Sequence, residues 1–170
     1  MNTKLIIYRL ITFTILPIAA ILGVVDLVAL VSALGNPASL LNVFILGSVV
    51  LYVFTSFIFF SQGVMNGKMF KPSLKDWIKV NAFVTLAWCT LVIIAALLYF
   101  TAPSFKKIAM DQLTAMRANA SAAPVDKVTF EHAITEGFYI LSAFAALLGI
   151  HIIITFGLLK SHKHLFGKQA

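Results

Sequence analysis

The chain has 170 residues, 61% of them hydrophobic and 11% charged, with a mean hydropathy of +0.99 and a formal net charge of +7. So little polar surface excludes an ordinary soluble domain. The basic residues sit at the ends of apolar runs rather than on one soluble face, so the positive charge points to membrane topology and not to nucleic acid. The single cysteine, Cys89, excludes an internal disulfide and a paired-cysteine redox motif.

Four apolar runs, residues 10–33, 40–60, 80–100 and 138–159, each have the length that crosses the hydrocarbon core as a helix. They predict an all-α integral membrane protein, a four-transmembrane-helix bundle in which residues 1–170 form a single domain. The first run follows Lys4 and Arg9 and ends in the small residues Val31-Ser32-Ala33, as a signal peptide would. Its apolar stretch exceeds the usual h-region of about 7–15 residues, so it is read as a retained span. Pro17 predicts a kink within it, and Gly35-Asn36-Pro37 a tight turn after it.

Lys and Arg set the expected orientation. The first connector has neither, whereas the second carries Lys68, Lys71, Lys75 and Lys79. The tail adds Lys160, Lys163 and Lys168 to the Lys4 and Arg9 of the N-terminus. In the third connector Lys106, Lys107, Arg117 and Lys127 are offset by Asp111, Asp126, Glu131 and Glu136. Both termini are therefore expected in the cytoplasm of a cell membrane, read as a bacterial inner membrane. Trp77, Tyr99 and Tyr139 fall near span ends, where amphipathic rings are favoured.

The outer loop, residues 101–137, carries Phe105, Ile108, Ala109, Leu113 and Met116 at helical spacing, which predicts a short amphipathic helix over 104–117. Residues 118–124 break it, and Asp126 or Thr129 is expected to cap the helix that follows. Asn119-Ala120-Ser121 is a glycosylation sequon, of consequence only in a eukaryotic secretory pathway. Gly63 and Gly67 have GxxxG spacing but lie at the edge of a span.

Asp26 is the one acid inside an apolar run, on a helical face with Ala19, Gly23, Ala29 and Ala33. A carboxyl on such a packing face is a proton or cation site, or else a structural acid bonded to a neighbouring hydroxyl such as Ser48 at similar depth. Ser48, Tyr52, Thr55 and Gln62 form one polar stripe, and Asn81, Thr85, Trp88 and Tyr99 another. Either stripe lines a polar path or bonds helices together. His151 is the one histidine well inside a run, about 10 Å in depth from Asp26, and is expected to be neutral and bonded to a carbonyl or water. The candidate polar site is thus Asp26, Ser48, Tyr52 and His151. His132 and Glu136 share a face and could form one edge of a metal site, but acids at a helix start account for them equally. No catalytic residue, metal site or cofactor is assigned.

No nucleotide loop, nucleophile elbow or zinc-protease motif occurs. The expected function is that of an accessory, assembly or membrane-organising subunit acting through protein or lipid contacts. Its partners would be the lipid bilayer and other membrane subunits or further copies of itself, not nucleic acid. The alternative is a small oligomeric proton- or cation-coupled transporter using Asp26. A membrane enzyme built from Asp26, His151 and tyrosines ranks third.

Overall fold

The computed structural model describes residues 3–119 and 126–167, and every regular element among them is helical. In chain order these are α1 (Thr3–Ala33), α2 (Pro37–Ile58), a π-helical end Phe59–Val64, α3 (Pro72–Thr101), α4 (Pro103–Asn119), α5 (Lys127–Ser161) and a 3-10 turn Lys163–Phe166. Four helices are long and apolar enough to span a membrane: Leu5–Ala33, Ser39–Val64, Pro72–Thr101 and Lys127–Ser161.

The helices overrun the apolar runs because local start signals set their ends. Pro37, Pro72 and Pro103 each open a helix, where a missing N–H costs nothing and the fixed φ fits. Asp126 caps α5 by accepting the Thr129 N–H at 2.9 Å, so that helix begins well before residue 138. Hydrogen bonds from the Thr129 hydroxyl, and then from its N–H, hold the Asp126 carboxyl below the usual carboxylate range. Helix α1 continues through Pro17 without interruption. The segment between α4 and α5, including Ser121 of the sequon and most of the expected break at 118–124, lies outside the described residues, as does Lys168.

The chain divides into two compact units. Unit one comprises Met1–Trp88 and Leu147–Ala170, and so takes in α1, α2, the first part of α3 and the last part of α5. Its core holds Tyr8, Ile15, Val49, Tyr52, Ile78, Leu148 and Ile152, all at 0% exposure. Helices α1 and α2 approach closely where side chains are small: a Cβ at Gly23 would stand 3.3 Å from Val50 Cγ1. At the end of α2 the Met65 N–H donates to the Phe60 carbonyl, the π spacing, and Gly67 (φ +69°) ends the turn in the left-handed region. The Phe70 N–H donates to the Leu165 carbonyl at 2.7 Å, while Phe166 stacks on Phe59. A Cβ at Gly63 would meet Phe70 Cε2 at 2.7 Å. The Gly63–Gly67 spacing therefore has reasons within the chain: a close approach and a helix stop.

Unit two, Cys89–Ala146, takes in the end of α3, α4 and the start of α5. Tyr99 is its buried centre: the ring stacks on Phe138 at 4.3 Å, and the hydroxyl lies 3.1 Å from Thr135 Oγ1. Lys106 of α4 bridges to Glu131 of α5, whose carboxylate holds the Lys106 ammonium above its ordinary value. Arg117 lies over the Phe130 ring at 5.3 Å. These contacts turn α4 so that Phe105, Ala109, Met110 and Leu113 are half-buried, while Ile108 and Met116 stay 56% and 68% exposed. The helix expected over 104–117 is present, but its covered face is narrower than the apolar spacing suggests. The Lys106 bridge and the Arg117 ring contact, rather than the apolar stripe alone, set its rotation.

Candidate functional site

Unit one holds two polar places of opposite character. The first is built from i, i+4 pairs on two helices, Tyr8 and Thr12 on α1 and His151 and Thr155 on α5, with Tyr52 of α2 between them. All five are fully buried. His151 Nε2 lies 3.0 Å from Thr12 Oγ1, and Nδ1 lies 2.7 Å from the Tyr52 hydroxyl. Thr155 Oγ1 is 2.9 Å from the Tyr52 hydroxyl, 3.1 Å from that of Tyr8, and 2.8 Å from the His151 carbonyl. The Tyr8 ring stacks on the imidazole at 4.5 Å.

Counting protons orders this network. The Thr12 hydroxyl donates its one hydrogen to the Tyr8 carbonyl at 2.7 Å, so toward His151 its oxygen accepts, and Nε2 carries the proton. A neutral ring then offers Nδ1 as acceptor to the Tyr52 O–H. The Thr155 hydroxyl likewise donates its hydrogen to the His151 carbonyl at 2.8 Å, so toward the Tyr8 O–H its oxygen accepts. These contacts link Tyr8, Thr155, Tyr52, His151 and Thr12 in one cluster. Every ring nitrogen and hydroxyl has a role, as burial away from water requires. A polar cluster this complete joins α1, α2 and α5, and leaves no group seeking a ligand.

The second place is unsatisfied. Asp26 stands fourteen residues beyond Thr12 on α1, about 21 Å of helix rise away, and turns toward α2. A Cβ at Gly47 would lie 3.0 Å from its Oδ2, so the carboxyl sits close against the α2 backbone there. Its Oδ1 is buried and has no hydrogen-bond partner among the described residues. Asp26 also lines a cavity of about 420 Å³ with Ser32, Ser39 and Asn42. Ser32 donates its hydroxyl hydrogen to the Val28 carbonyl, so its oxygen is left to accept.

Of the four residues expected at one polar site, the structure brings Tyr52 and His151 together and places Asp26 elsewhere. The Ser48 hydroxyl donates to the Phe44 carbonyl of its own helix at 2.8 Å, and the Ser48 carbonyl accepts from Thr85 at 3.5 Å. His151 is bonded to two hydroxyls rather than to a carbonyl or water. In the two polar stripes, Thr55 and Asn81 also bond carbonyls of their own helices. Gln62 accepts from the Lys68 ammonium at 2.9 Å. His132 Nδ1 and Glu136 Oε1 are 3.4 Å apart on the exposed start of α5, and no group of three metal-binding side chains forms among the described residues. Sequence reasoning missed Tyr8, Thr12 and Thr155. The signal was there in the matching i, i+4 spacing of Tyr8 with Thr12 and of His151 with Thr155.

The chain matches no protein-family profile, no curated protein and no solved structure.

Proposed function

We propose that this chain is an integral membrane protein that works inside the bilayer as an accessory, assembly or organising subunit, through contacts with lipid and with other membrane helices. The observation that carries this reading is where its surfaces and its polar groups lie. The five-residue cluster around His151 is used up internally, whereas the helices present Ile21, Val31, Phe83, Leu91 and Ile153 outward, each more than three-fifths exposed. Side chains of that kind are covered by lipid tails or by partner helices. The Lys and Arg asymmetry supports an orientation with both termini and residues 65–78 in the cytoplasm and residues 35–39 and 106–127 outside, in a membrane read as a bacterial inner one.

Extraction of membranes at alkaline pH with carbonate tests the reading. The protein stays in the pellet and enters solution only with detergent. Release by carbonate alone would rule out a bilayer-spanning protein.

One observation favours a second reading, a proton- or cation-coupled transporter. It is the unpartnered Asp26 Oδ1 beside a cavity with further hydroxyl and amide groups. A carboxyl in that setting is a functional candidate by default. Its test is the alanine variant treated in the Discussion.

A further inference from the structure

Lys75 and Lys79 sit four residues apart on α3 and share a face, an unfavourable pairing for two like charges. Lys160 lies in the last turn of α5 and Lys163 just after it. The four lysines, with Phe156 and Leu159, line one cavity of about 310 Å³. Among the described residues, no carboxylate bridges to any of the four. Asp76, the acid next to Lys75 in sequence, is exposed and makes no ion pair among the described residues. Four lysines bordering one cavity without a bridging carboxylate favour an anion there.

Three features say which kind. The cavity is apolar on one side, where Leu159 is buried and Phe156 half-buried. Phe156 pairs with Phe83 at 5.7 Å, and Phe83 is 63% exposed, so an apolar path leads from the cavity along the outside of α3. Trp77, 57% exposed between the two α3 lysines, is the amphipathic ring expected at headgroup level. We propose that Lys75, Lys79, Lys160 and Lys163 bind the headgroup of an anionic phospholipid whose acyl chains lie along Phe156 and Phe83. A single phosphodiester carries one negative charge, so a headgroup with two phosphates, as in a diphosphatidylglycerol, offsets more of the four lysine charges. The site rests on the membrane reading above.

Native mass spectrometry of the delipidated protein in detergent tests it, with diphosphatidylglycerol, phosphatidylcholine and inorganic phosphate as probes. The wild type should retain diphosphatidylglycerol about tenfold more than phosphatidylcholine. The double variant Lys75→Gln, Lys79→Gln should lose that selectivity, and the control Lys68→Gln, Lys71→Gln should keep it. Lys160→Gln with Lys163→Gln gives an independent second arm should the α3 pair fail to fold. Equal loss in the control would overturn the proposal in favour of diffuse basic charge. Displacement of the lipid by inorganic phosphate at equal concentration would overturn it in favour of a soluble anion. Failure of the site leaves the protein in the carbonate pellet, whereas failure of the membrane reading releases it, so the two are told apart.

Discussion

His151→Ala is expected to destabilise the protein by about 3 kcal/mol or more in reversible unfolding from mixed detergent micelles. The ring is fully buried, stacks on Tyr8 at 4.5 Å, and bonds two hydroxyls on two other helices. Its removal leaves a cavity in the core and strands the Tyr52 and Thr12 groups that faced it. Tyr52→Phe keeps the ring and removes the hydroxyl, and should cost about 1–2 kcal/mol, the upper range for an interhelical bond in membranes. Because the two residues share one bond, the double variant should be less destabilised than the sum of the singles. Additive losses would mean that Tyr52 and His151 are merely neighbours. A neutral His151→Ala would dissolve the cluster as a structural element.

Asp26→Ala is expected to raise stability and, on the transporter reading, to abolish activity. Oδ1 is buried without a partner, and an orphaned polar atom costs folding free energy, so its removal should raise stability by about 1 kcal/mol. If the carboxyl exchanges protons or cations, coupled flux in proteoliposomes containing a pH-sensitive dye falls to background in the same variant. Asp26→Asn should lose the flux as well, because an amide cannot exchange charge. More stable and inactive is the pattern of a site kept for function. A loss of stability in Asp26→Ala would make the carboxyl structural. No flux in the wild type would set the transporter reading aside and leave the subunit reading ahead.

The helical class and the four long apolar elements are legible from the lengths of the apolar runs alone, because a spanning helix leaves a signal of about 20 residues. The ends are not legible in hydropathy. They follow from Pro72, Pro103 and the Asp126 cap, which act through backbone geometry. The rotation of α4 depends on Glu131 and Phe130, which lie more than a dozen residues further along the chain. The polar cluster was half visible. Tyr52 and His151 stand out as polar residues in apolar runs, but Tyr8 precedes the run that begins at residue 10. Hydrogen-bond direction required Thr12 and Thr155 in place, since threonine hydroxyls usually bond their own helix. For Asp26 the packing face was readable from the small residues around it. That it meets Gly47, with one oxygen left without a partner, required the α1–α2 register.

The central claim, four crossings with both termini on one side, is tested most directly by labelling single cysteines in intact cells on a Cys89→Ala background. Cys89 is 2% exposed and its removal should not disturb the positions tested. Suitable sites are Gly35, where an added Cβ meets nothing within 4 Å, Lys71, which is exposed, and Ile108, 56% exposed on α4. A membrane-impermeant maleimide should label Gly35→Cys and Ile108→Cys in intact cells, and Lys71→Cys only after the cells are opened. Labelling of Lys71→Cys from outside would contradict the orientation, and equal labelling of all three would contradict the four-span arrangement.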